Sequence, residues 1–102
     1  MENEFADFMI DLYTAIRDGR QVKIILFGEK ENTVLKPNKN LSPAALCVPF
    51  FDATWIGEMQ PKEADPSWKK ELGKSEMKKT RFYLFEGDKG PIEVAIQAKP
   101  YI

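Results

Sequence analysis

Phe5, Phe8, Met9, Leu12, Tyr13 and Ile16 recur at the spacing of one face of an α-helix, and the spacing predicts an amphipathic helix from about Asn3 to Asp18. Asn3 is the expected N-cap, Glu4 and Asp7 lie where the helix dipole favours anions, and Gly19 is the expected residue just past the C-terminus. After Gly19 the apolar period falls to two. Gln21 to Phe27 sets Val22, Ile24 and Leu26 against Lys23, Ile25 and Phe27, which is the pattern of a largely buried strand. Asn32 to Lys36 predicts a short returning strand that Pro37 ends. Ala53 to Gln60 predicts a third strand, with Ala53, Trp55, Gly57 and Met59 on one face and a bulge or bend at Gly57. Thr80 to Glu86 and Ile92 to Ala98 predict a closing hairpin. Its turn, Gly87-Asp88-Lys89-Gly90, carries two glycines to supply positive φ.

The two longer connections differ in character. Pro37, Pro43 and Pro49 exclude regular structure from the first, so the apolar run Ala44 to Phe51 is expected to cap the open end of the core. In the second, Asp65 as a cap, Pro66 at the first helical position and Gly73 at the end predict a two-turn helical excursion between strands three and four. One helix and five hairpin-linked strands predict an α+β fold in a single domain over residues 1–102. The N-terminal amphipathic helix packs on a curved, mainly antiparallel five-stranded sheet that curls into a small barrel or half-barrel. From Ala53 to Ala98 the order of strand, basic excursion and strand around Trp55 and Tyr83 is similar to small OB-like domains.

Composition narrows the chemistry. With 43% hydrophobic and 30% charged residues in 102, the chain has the make-up of one globular domain and not of a disordered segment. It contains no histidine, which removes the commonest general base and metal ligand and excludes Ser-His and Cys-His nucleophilic mechanisms. Cys47, among Leu46, Val48 and Pro49, reads as an inert buried thiol that no second cysteine can pair. Ser75 and Lys78 stand in the Ser-x-x-Lys order of serine acylases without the companion motifs. Asp52, Glu58, Glu63 and Asp65 gather around the Trp55 strand without calcium-loop spacing. The expectation is a non-enzymatic protein with no metal and no cofactor. The acidic start, Met1 to Phe8, and the lone cysteine point to a cytoplasmic setting, and Ala44 to Phe51 is too short to span a bilayer.

The formal charge of −1 hides a separation. Over residues 1–18, Glu2, Glu4, Asp7, Asp11 and Asp18 oppose Arg17, a net −4; over residues 67–81, Lys69, Lys70, Lys74, Lys78, Lys79 and Arg81 oppose Glu71 and Glu76, a net +4. The basic excursion next to an aromatic strand predicts single-stranded nucleic acid as the first partner. Lys69, Lys70, Lys78, Lys79 and Arg81 would contact phosphates, and Trp68, Tyr83 and Phe85 would stack on bases. The alternative is a protein-binding inhibitor or adaptor, of the kind small viral or mobile elements encode. It would engage a partner that handles nucleic acid through Glu4, Asp7 and Asp11 or through Phe50 and Phe51 of the Leu46 to Phe51 loop. A homodimer paired along the Asn32 to Lys36 edge is also compatible with the pattern.

Overall fold

The computed structural model describes residues 2–28, 33–37 and 53–98. The apolar run Ala44 to Phe51, with Cys47, Phe50 and Phe51, lies outside them. The helix α1 spans Glu2–Asp18 and is followed by strands β1 (Val22–Leu26), β2 (Thr33–Leu35) and β3 (Thr54–Met59). A 3-10 turn at Pro61–Glu63 and two short helices, α2 (Trp68–Leu72) and α3 (Lys74–Met77), form the excursion before β4 (Thr80–Gly87) and β5 (Gly90–Gln97). The fold is α+β, with α1 packed on a five-stranded antiparallel sheet in the order β2-β1-β5-β4-β3. Among the described residues no helix is long and apolar enough to cross a membrane.

The helix begins at Glu2, so Asn3 lies inside its first turn and does not cap it. Its other end matches expectation. Gly19 takes φ +76°, and the Gly19 and Arg20 amides donate to the carbonyls of Ile16 and Ala15, which satisfies two groups that the last turn leaves open.

The expected barrel or OB-like closure does not form. The sheet stays open, with β2 and β3 at its edges, because both of its apolar faces are covered by other elements. On one face Phe8, Leu12, Ala15 and Ile16 of α1 pack over Val22, Ile24, Tyr83, Phe85, Ile92, Val94 and Ile96. On the other, Ala64 and Trp68 of the excursion pack over Ile25, Phe82 and Ala95. A sheet sealed by helices on both sides has no need to curl upon itself to bury its side chains.

Buried polar contacts fix the excursion to the sheet. The Trp68 indole donates to Glu93 Oε1 at 3.0 Å, and the Asp65 amide donates to the same oxygen at 3.0 Å. Lys23 Nζ, largely buried, donates to the Glu71 carbonyl at 2.8 Å and lies 3.5 Å from its carboxylate. Asp65 accepts from the Ser67 amide at 2.9 Å and so opens the turn that leads into α2, but Ser67 and not Asp65 holds the N-cap position, and Pro66 precedes the helix instead of occupying its first position. Gly73, at φ +78°, ends α2 and begins α3, a further turn that the sequence pattern does not announce.

The bulge at Gly57 is present and has a larger effect than expected. β3 pairs with β4 as Trp55↔Phe85 and then resumes one residue late as Gly57↔Leu84, Glu58↔Tyr83 and Met59↔Phe82. One extra residue inverts the alternation. Trp55 therefore packs on the α1 side while Met59 packs under the excursion, and the two do not share a face. The β4–β5 hairpin also differs in detail, since only Gly90 of its two glycines has positive φ. Gly90 is required for a second reason: a Cβ there would lie 2.8 Å from the Phe27 carbonyl oxygen.

Burial of Trp68 carries a measurable consequence. Replacement Trp68→Ala is expected to lower the unfolding free energy by roughly 3–5 kcal/mol, the scale for deleting a large buried aromatic. A solvent-facing ring at that position would cost under about 0.5 kcal/mol. Urea denaturation followed by circular dichroism separates the two values.

Candidate functional site

Glu4, Asp7 and Asp11 follow one another at helical spacings of three and four, which sets them along one flank of α1. That flank runs beside the β3–β4 pair, and a cleft of about 430 Å³ opens between them. Phe8, Trp55 and Tyr83 line it with aromatic surface, and Glu4, Asp7, Glu58 and Arg81 line it with charge. Ring centroids lie 5.4 Å apart for Phe8 and Trp55, 4.9 Å for Phe8 and Tyr83, and 6.0 Å for Trp55 and Tyr83. The rings form one continuous tilted cluster.

The charged groups divide into those already matched and those that are not. Arg81 meets Glu58 through two hydrogen bonds, Nε to Oε2 at 3.0 Å and Nη2 to Oε1 at 2.7 Å, while its Cζ sits 5.7 Å from the centre of the Tyr83 ring. The bond to Glu58 holds the guanidinium in its charged form even more firmly than usual, with burial opposing. Asp11 is also committed: it accepts from Arg20 Nη2 at 3.1 Å and from the Tyr83 hydroxyl at 3.5 Å. Arg20, its side chain only 7% exposed, carries on to the Gln97 carbonyl at 2.8 Å, so the pair ties α1 to the end of β5. Glu4 and Asp7 are exposed, and no cation of the described residues pairs with them.

The residues expected to bind nucleic acid fall into two groups. Lys69, Lys70, Lys78 and Lys79 are exposed on the excursion, as a phosphate-contacting role requires. Trp68, Tyr83 and Phe85 are not available for stacking, at 0%, 4% and 1% exposure. They are core residues because the strand face of Tyr83 and Phe85 is the one α1 covers, and Trp68 plugs the opposite face. Arg81, expected to contact phosphate, spends its fork on Glu58. Of the alternative set, Glu4 and Asp7 line the cleft and Asp11 is held internally, while Phe50 and Phe51 lie outside the described residues. Of the acidic residues around the Trp55 strand, Glu58 meets Arg81, Glu63 accepts from the Gln60 amide and Asp65 from the Ser67 amide, while Asp52 lies outside the described residues.

Sequence reasoning missed Trp55 and Glu58 as members of the site. Without a bulge, positions 55 and 58 fall on opposite faces of a strand, and only the exact place of the extra residue brings them together. The fold is that of a small α+β domain, and its cleft is edged by carboxylates and lined by aromatic side chains. Compared with known proteins, the chain matches no family model, no curated protein and no solved structure.

The floor of the cleft gives a pH signature. Burial pushes the Tyr83 phenol above the ordinary tyrosine range; the Arg81 charge opposes the shift and the Asp11 charge reinforces it. The folded state therefore keeps this proton at a pH where the unfolded chain has lost it, and stability contributed by Tyr83 falls as pH rises above about 10. Thermal unfolding between neutral pH and strongly alkaline pH is expected to show a steeper decline for the native chain than for Tyr83→Phe. Equal slopes would mean that the phenol is no more protected in the fold than in solution.

Proposed function

We propose that the chain is a non-enzymatic binding module that docks a protein partner with a basic surface through the acidic flank of α1 and the cleft beside it. The observation that carries this reading is the state of Glu4 and Asp7, two exposed carboxylates with no cationic partner among the described residues, at the mouth of an aromatic-lined cleft. Around the same cleft the neighbouring carboxylates are matched, Asp11 with Arg20 and Glu58 with Arg81. Unmatched charge beside a concave surface favours a complementary partner, since opposite charge accelerates encounter and orients it. The net −4 of residues 1–18 sits on α1, and residues 67–79, with five lysines against Glu71 and Glu76 for a net +3, sit on the excursion that covers the opposite face of the sheet. A basic partner is thereby drawn to the α1 side and repelled from the excursion. A protein that handles nucleic acid, whose own binding groove is cationic, has the matching chemistry.

The single-strand-binding reading is weaker on this geometry. Base stacking supplies much of the affinity and all of the aromatic signature of such proteins, and the three rings assigned to it are in the core. The exposed lysines are left with phosphate contacts alone, in a chain whose overall charge is −1.

Two probes decide between the readings. In low salt, an oligolysine peptide is expected to bind, to weaken as salt rises, and to lose about tenfold or more in affinity with Glu4→Lys and Asp7→Lys combined. Lys78→Glu with Lys79→Glu should leave that binding in place. A single-stranded oligonucleotide that binds, and whose binding is lost with the Lys78 and Lys79 reversals while the peptide shows none, would overturn the protein-docking reading. Asp11 is left unchanged because its reversal would break the Arg20 tie and confound folding with binding.

A further inference from the structure

We infer that the cleft between α1 and the β3–β4 pair is a socket for an arginine side chain of the docked partner. This rests on the protein-docking reading above and names the group it recognises. The argument starts from a cation the protein already holds there. Arg81 lies over the Tyr83 ring with its fork on the Glu58 carboxylate, so the cleft wall combines an aromatic face with a carboxylate at the spacing a planar guanidinium fills.

Carboxylates and a ring also share the other side of the cleft. Glu4 and Asp7 provide carboxylates without a cation among the described residues, and Trp55, partly exposed and backed by the buried Phe8 ring at 5.4 Å, provides the aromatic surface. A volume of about 430 Å³ lies in the range of sites that enclose a small ligand or a long side chain. Guanidinium suits it better than ammonium. Its flat face stacks on rings, its edge offers paired donors to two carboxylates, and it sheds water more readily than the compact lysine head. The Trp55 indole N–H is buried and donates to no described acceptor. An inserted segment brings main-chain carbonyl oxygens along with its arginine, and one of these can take that hydrogen bond.

The test uses the full chain, labelled with nitrogen-15, titrated with oligoarginine, oligolysine and oligocitrulline peptides of equal length. The two indole N–H signals report separately, because Trp68 is sealed in the opposite core and bonded to Glu93. Oligoarginine is expected to bind at least about fivefold more tightly than oligolysine and to move the Trp55 indole signal while the Trp68 signal stays in place. Oligocitrulline, which has the shape without the charge, is expected to leave both unmoved. Glu4→Gln with Asp7→Asn should abolish the Trp55 response, and a Trp68 signal unchanged in these variants verifies that the fold is intact. Oligoarginine and oligolysine binding equally, or binding with the Trp55 signal static, overturns the arginine socket and leaves the docking reading standing. Failure of both peptides to bind, or binding insensitive to Glu4 and Asp7, overturns the docking reading itself.

Discussion

The structure follows from one constraint: the three inner strands, β1, β5 and β4, carry apolar side chains on both faces. Ile24 and Ile25, Val94 and Ala95, Phe82 and Tyr83 are consecutive pairs that point in opposite directions and are all buried. A sheet of this kind cannot leave either face in water without exposing a continuous apolar surface. Two covering elements are obligatory, and among the described residues α1 before β1 and the excursion between β3 and β4 supply them. Everything expected of the aromatic strand face was decided by that need, since Tyr83 and Phe85 can serve the core or a ligand but not both.

Polar contacts then register the layers against each other. Arg20 and Asp11 fasten α1 to the end of β5, Lys23 reaches the last turn of α2, and Glu93 takes donors from both Asp65 and Trp68. Apolar packing alone tolerates sliding of a helix over a sheet, whereas a buried charge loses heavily if its partner moves away. These contacts also use up charge internally. The acidic and basic segments therefore present fewer free groups than their formal sums imply, and on the α1 side Glu4 and Asp7 are what lines the cleft without a counter-charge.

Local pattern reveals the elements well and their mutual placement poorly. The helix, all five strands, the Gly19 terminus, the Asp65 turn and the Gly57 bulge are legible because each is written in a few adjacent residues through period, capping or turn chemistry. Sheet closure was not legible, because it depends on what covers each face. Lys23 and Glu93 read as ordinary polar positions on alternating strands, yet both are buried by an excursion whose docking site no local pattern specifies. Trp68 reads as a site residue for the same reason: a tryptophan beside two lysines looks exposed until the helix that carries it is placed against the sheet.

The bulge shows how a one-residue irregularity can create a site. Trp55 and Glu58 are separated by three positions, an odd number, and in a regular strand they would project to opposite sides. The shift between Trp55 and Gly57 restores them to the same side, where Trp55 pairs across to Phe85 and Glu58 to Tyr83. Glu58 thereby meets Arg81 and Tyr83 at one wall of the cleft, and Trp55 joins Phe8 within it. A regular β3 would have placed either the indole or the carboxylate beneath the excursion, on the face of Phe82 and Ala95. The extra residue thus keeps both on the α1 side and, by one displacement, gives that side its aromatic wall and its acidic edge.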